Sequence, residues 1–187
     1  YLEAALLADA RMPAAEDLFY QPLYNNRTID DPVPERTSAA ELGWRLTGPV
    51  LDLQVTAFAV LTLDGTETRR YYDDMASVYC DMAVTGIGRL SCGVEAAADI
   101  RLSYRWRLLL AASAGRYKYA RDPVVTVISD VDNSAVDMRA VSRMGGCETG
   151  GAPQLTAAAE LAWFGTKGWG CRASAGFAGR RFVEPMP

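Results

Sequence analysis

Charge in this chain is sorted by residue parity, and that restricts the fold more than any other feature of the sequence. Successive side chains of a β-strand point to opposite faces, so a sheet between two different environments must separate its odd from its even residues. From Ser38 to Leu46 one set is Ser38, Ala40, Leu42, Trp44 and Leu46, while the other carries Glu41 and Arg45. From Leu51 to Leu63 the odd residues are all Leu, Val or Ala, and Asp52 is on the even side. The same holds for Val84–Ile100, Tyr104–Gly115, Gln154–Phe164 and Trp169–Gly179. Across these six segments the ten charged residues, Glu41, Arg45, Asp52, Arg89, Glu95, Asp99, Arg105, Arg107, Glu160 and Arg172, share the polar set, and the other set has none. A helix would instead space its apolar residues at i, i+3, i+4 and i+7.

The connections also alternate. Thr47–Val50, Arg101–Ser103 and Gly165–Gly168 are short, whereas Asp9–Thr37, Gly65–Ala83 and Arg116–Pro153 are long and polar. An antiparallel up-and-down meander with short turns on one side and long loops on the other is the layout of a transmembrane β-barrel, whose strands need about 10 residues to cross. Trp44, Trp106, Trp163 and Trp169 all lie on the charge-free parity beside short turns. Such a row suits the membrane–water interface, where an indole has hydrocarbon at one end and water at the other. Tyr71, Tyr72, Tyr79, Tyr117 and Tyr119 fall at the opposite ends. The charge-free face is then expected to meet lipid. The charged face is expected to line an interior, with Glu41 near Arg45 and Asp99 near Arg89, Arg105 and Arg107.

Composition removes other classes. Half of the 187 residues are apolar, too many for a disordered segment, and the net charge of -4 disfavours a general nucleic-acid partner. The absence of histidine removes the usual general base, the Ser-His and Cys-His pairs and the common zinc sites, so no enzyme activity, cofactor or metal centre is expected. No run of 18 apolar residues offers a spanning helix. Gly86-Ile87-Gly88 lacks the rest of a dinucleotide fingerprint and reads as strand glycine.

In the long connections, Tyr71, Tyr72, Asp73, Asp74 and Tyr79 form a candidate ligand-contacting patch, or simply interface and loop packing. Asp130, Asp132, Asn133 and Asp137 carry oxygen ligands but not the glycine and distal glutamate of a calcium loop, and read as solvated loop. Cys80 and Cys147 fall in connections on the same side and either pair or remain free thiols; Cys92 and Cys171 lie on the charge-free parity as small apolar residues.

The stretch TIDDPVPERTSAAELGWRL from Thr28 to Leu46, the strand Leu51–Leu63 and the GRYKY of Gly115–Tyr119 resemble the C-terminal barrel of TonB-dependent outer-membrane receptors, especially those of the Bacteroidota. The resemblance implies a barrel of about 22 strands closed around a plug domain. It implies import of a scarce nutrient, a siderophore, cobalamin or glycan, driven through TonB, in the outer membrane of a Gram-negative bacterium. Residues 1–187 would be a partial barrel domain of six or seven strands, a fragment without plug or closing strands, since the chain opens at Tyr1 in an apolar run and ends at Pro187. Glu41, Arg45, Arg89, Glu95, Asp99, Arg105, Arg107, Glu160 and Arg172 would line the lumen or touch the plug. The implied partners are outer-membrane lipids, the plug and through it TonB, and a small-molecule or glycan ligand. A soluble all-β binding module, sandwich or lipocalin-like, with the charge-free parity as its core is the other reading. An outer-membrane barrel hydrolase is a third, weakened by the missing histidine.

Overall fold

A computed structural model of the chain describes residues 1–21, 23, 25–75, 77–132 and 134–185. The elements are β1 (Leu2–Arg11), a single 3-10 turn (Ala15–Leu18), β2 (Phe19–Gln21), β3 (Asn25–Thr28), β4 (Glu35–Thr47), β5 (Leu51–Asp73), β6 (Val78–Arg101), β7 (Trp106–Arg121), β8 (Val124–Ser129), β9 (Ala135–Val141), β10 (Leu155–Phe164) and β11 (Gly170–Ala178). The protein is all-β, with no α-helix among the described residues. One antiparallel sheet runs β1-β4-β5-β6-β7-β10-β11, β8 and β9 branch from the upper part of β6, and β2-β3 is a separate hairpin. Each neighbouring pair in the row follows the last through a turn or longer connection, which is a meander. The sheet is open: β1 and β11 are its edges and do not pair with each other.

All six segments sorted by parity are strands, and the three short connections are tight turns. The opening apolar run is also a strand, with Leu2 opposite Trp44 and Leu6 opposite Ala40, so its even residues join the charge-free face.

The long connections differ from expectation. Gly65–Ala83 is not a loop, because β5 and β6 continue as a paired hairpin from Thr66 opposite Thr85 to Asp73 opposite Val78. The charges that made this stretch look like loop have cross-strand counterparts, Arg70 standing opposite Asp81. In Arg116–Pro153, β7 continues to Arg121, the fully buried Pro123 marks a jog, and the β-branched run Val124–Ser129 pairs with β6 as β8.

Two kinds of region result, and bulges separate them. Between Thr62 and Thr66 the β5–β6 register shifts twice, with Asp64 at φ 63° and Gly86 at φ 71°. Below this line the sheet is a single layer, and charge keeps to one face except at its upper end, where Arg116 and Lys118 of β7 stand on the other. Above it the sorting lapses: Glu67 and Arg69 share a face with Val84 and Met82, and Arg70 and Asp81 share the other with Ala83. Both upper faces are covered. Cys80, Met82, Val84, Ile87, Tyr119, Val125, Val127 and Met144 form the main core on one side, and Tyr20 and Ile29 of the β2–β3 region close over Ala83 and Ile128 on the other.

Candidate functional site

The lower sheet presents two unlike surfaces. On the charge-free face Leu6 is 88% exposed, Phe177 58%, Val94 46% and Leu110 39%, and no element packs over them. Alanines make this face shallow where neighbouring leucines stand higher. The result is an open groove of about 540 Å³ with Ala96, Leu110, Ala112, Ala157 and Phe177 among its lining, and a second of about 490 Å³ against Leu6, Ala40, Ala59 and Leu90.

On the opposite face a smaller depression is lined by Arg45, Asp52, Gln54 and Asp99. Here the predicted interior residues meet, Asp99 with Arg107 as expected and the others with different partners. Arg45 binds Asp52 at 3.2 Å rather than Glu41, and the Arg107 Nε donates to Asp99 Oδ1 at 2.7 Å. Arg89 donates to Glu67, and Arg172 approaches Glu160 at 3.7 Å. The reason is strand geometry: residues four apart on one strand are about 13 Å apart, whereas cross-strand and diagonal neighbours are within reach. Glu41 and Glu95 lie opposite Phe58 and Thr56 and make no ion pair among the described residues. Arg105 precedes β7 and stacks on the Tyr104 ring, 5.0 Å from its centroid.

The tryptophans gather at the short-turn end. Trp106 lies opposite Trp163 with ring centroids 6.5 Å apart, Trp44 lies opposite Val55, and Trp169 ends the last short turn.

The upper candidates divide. Tyr72 and Tyr79 are exposed and meet edge to face at 5.0 Å, with the Arg70 guanidinium 4.8 Å from the Tyr79 ring. Tyr71 packs instead against the main core on the other face of the hairpin, Asp73 pairs with Val78 at its end, and Asp74 is in the turn. They therefore do not form one patch. Tyr119 is buried in the main core, far from that tip along β6, and its hydroxyl donates to Glu184; burial first and the Glu184 carboxylate second push its phenol up to about 12. Asp130 is bound by Arg70, Asp132 accepts the Ser134 N–H at 3.0 Å, and Asn133 lies outside the described residues. No group of three or more His, Cys, Asp or Glu among the described residues is placed to hold a metal.

Cys80 and Cys147 are free thiols, which corrects the disulfide alternative. Cys147 is held beside Tyr119 by the bond from Tyr119 N–H to its carbonyl at 2.9 Å, and Tyr119 lies opposite Arg89. Cys80 is farther along β6 by roughly 30 Å of strand at about 3.3 Å per residue, beyond any disulfide span. Burial, with Asp73 adding to it, pushes the Cys80 thiol up.

At the bulge line, burial pushes the Glu67 carboxyl up, but hydrogen bonds from Arg89 and Arg69 outweigh it and leave it below its ordinary range. A depressed carboxylate adds stability above its unfolded value and loses it as pH falls through the folded value. Glu67→Gln is therefore expected to cost about 1 kcal/mol at pH 7 and progressively less as the pH is lowered through the folded value, read from thermal unfolding of the protein across that range.

Comparisons with protein-family models, with curated proteins and with solved structures returned no match. The parity reading had found the two faces but not their upper limit. Asp64, Glu67, Arg116, Lys118, Arg121 and Glu184 went unnoticed as a set, although Arg116 and Lys118 continue the even parity of β7 and the switch from Ala114 to Arg116 is visible in the sequence.

Proposed function

We propose that this chain is a section of outer-membrane β-barrel wall and extracellular loops, belonging to a TonB-dependent importer of a scarce nutrient such as a siderophore, cobalamin or glycan. The observation that carries the wall reading is the uncovered charge-free face, which stops at the bulge line. Below it, short of Arg116 and Lys118 at the top of β7, one face rejects charge and the other accepts it, as hydrocarbon on one side and a wet or plug-filled lumen on the other require. Above it both faces are mixed and covered, as water on both sides requires.

Dimensions agree with that reading. From Leu51 to Leu63, β5 has enough tilted strand to cross an apolar band about 25 Å tall, and the tryptophan row stands at the lower margin. Two free edges suit an arc of a larger barrel, because a closed barrel leaves no edge. The importer part of the proposal rests on the resemblance of Thr28–Leu46 and Gly115–Tyr119 to the receptor family. A plug would meet Glu41, Arg45, Glu95, Asp99 and Arg107, and ligand would meet the β5–β6 hairpin tip with Tyr72 and Tyr79. The soluble-module alternative needs the charge-free face as its core, and that face is uncovered.

Extraction of the natural protein from cells tests the wall reading. It is expected to need detergent and to migrate differently on a gel before and after heating. Recovery as a soluble monomer without detergent would overturn it. Loss of growth on one limiting nutrient when the gene is deleted, with uptake abolished by an inner-membrane uncoupler, tests the import reading separately.

A further inference from the structure

The outward face of β7 changes character above the alanine groove. Trp106, Leu108, Leu110, Ala112 and Ala114 are apolar, and the next residues of the same parity are Arg116 and Lys118. Register keeps them on the charge-free face, because Arg116 lies opposite Cys92 and Lys118 opposite Leu90. Nearer the bulges, Arg36 lies opposite Leu63 and is 68% exposed at its side chain, Arg121 lies opposite Gly88, and both approach Asp64. Lys118 reaches Glu148 at 3.4 Å. The cations along this rim thus outnumber their carboxylates, Asp64 and Glu148.

Arg116 is the odd member. It is exposed, and among the described residues its side chain makes no ion pair or hydrogen bond. An arginine with its stem on an apolar surface and no protein anion at its head is placed to receive an anion from the bilayer surface, where a phosphate offers it paired oxygen acceptors. Below it by four residues of β7, about 13 Å of strand, Ala112 sits in the groove of about 540 Å³ that Ala96, Leu110, Ala157 and Phe177 also line. A cation above an apolar trough complements an anionic head above a hydrocarbon chain.

We propose that this surface holds a phosphate-bearing membrane lipid, its headgroup at Arg116 and Lys118 and an acyl chain along the alanine groove. The proposal rests on the reading of this face as membrane wall. A cationic side chain near anionic lipid is worth about 1 kcal/mol, or about fivefold in affinity.

The test is native mass spectrometry of the natural, full-length protein in detergent, titrated with dipalmitoyl phosphatidic acid. Arg116→Ala is expected to weaken retention about fivefold and R116A/K118A about 25-fold, with dipalmitoylglycerol retained equally by all three proteins. Ala112→Leu, which fills the trough, is expected to weaken dipalmitoyl but not dihexanoyl phosphatidic acid. Unchanged retention in R116A/K118A would overturn the proposal, as would glycerol phosphate binding as tightly as the lipid, which would make this a site for free anions. Heat-modifiable migration of each variant, run in parallel, separates the two readings: its loss in the unsubstituted protein removes the wall, whereas its persistence with unchanged lipid retention removes only the lipid site.

Discussion

Replacing Ala112 with arginine is expected to destabilise the detergent- or bilayer-embedded protein by about 2–4 kcal/mol, while the same replacement at Ala111 changes it by less than about 1 kcal/mol. The two residues are adjacent on β7 and equally deep between the tryptophan row and the bulge line, and both belong to exposed positions of the sheet. Only the face differs. Ala112 lies opposite Ala96 and Ala157 on the charge-free side, so an arginine there would carry its charge into hydrocarbon. Ala111 lies opposite Ala97, and its neighbours on that side of β6 are Glu95 and Asp99, which offer a new cation acidic company. Urea unfolding from bilayers measures both variants. Equal costs would mean that the two faces share one environment.

A second large effect is expected at Gly93, where the limit is steric. Gly93 stands opposite Gly115 on one side and Phe58 on the other, and the Phe58 ring leans over it. A Cβ added to Gly93 would meet the Ala114 carbonyl oxygen at 2.6 Å and Gly115 Cα at 2.9 Å, both backbone atoms that cannot swing aside. Gly93→Ala is therefore expected to cost about 1–3 kcal/mol by forcing the β6–β7 ladder apart. Gly176, where an added Cβ meets nothing closer than 4.0 Å, is the control, and its alanine variant is expected to be nearly neutral by the same unfolding measurement. Gly93 sits on the charged parity, so the cost belongs to strand packing and not to contact with lipid.

Parity made the lower sheet legible because each of its faces keeps one character from the short turns up to Arg116 and Lys118, and a strand has no other way to sort its side chains. It failed above Asp64 and Gly86 for the corresponding reason. A bulge inserts a residue and shifts the phase, and the upper hairpin is covered on both faces, so Arg70 and Asp81 could pair across strands without breaking any pattern that the sequence displays. Their charges made Gly65–Ala83 look like loop. Strand β8 was hidden differently: Val124–Ser129 is short, apolar at four of its six positions in two adjacent pairs and bounded by Pro123 and Asp130, so it has no alternation to detect. The Asp99–Arg107 pair was legible, but Glu41–Arg45 was not formed because charges close in sequence on a strand are distant in space, and Arg45 finds Asp52 only once the Thr47–Val50 turn brings β4 and β5 together.

Asp81 shows what the upper region does with charge. It is fully enclosed, neither carboxylate oxygen accepts a hydrogen bond, and its nearest cation is the Arg70 Nε at 3.8 Å. Burial, with Asp130 adding to it and Arg70 opposing, pushes its carboxyl up. A raised carboxyl contributes most to stability when protonated and loses that contribution as pH rises through its folded value, opposite in sign to Glu67 on the other face of the same hairpin.

The central claim is that hydrocarbon touches the charge-free face of these strands. Single cysteines placed in turn from Leu53 to Leu61 on β5, labelled with a fluorophore in bilayers containing brominated acyl chains, read it directly. Quenching is predicted to be strong at Leu53, Val55, Ala57, Ala59 and Leu61 and weak at Gln54, Thr56, Phe58 and Val60. Uniform quenching along the strand, or strong quenching at the even positions, would contradict it.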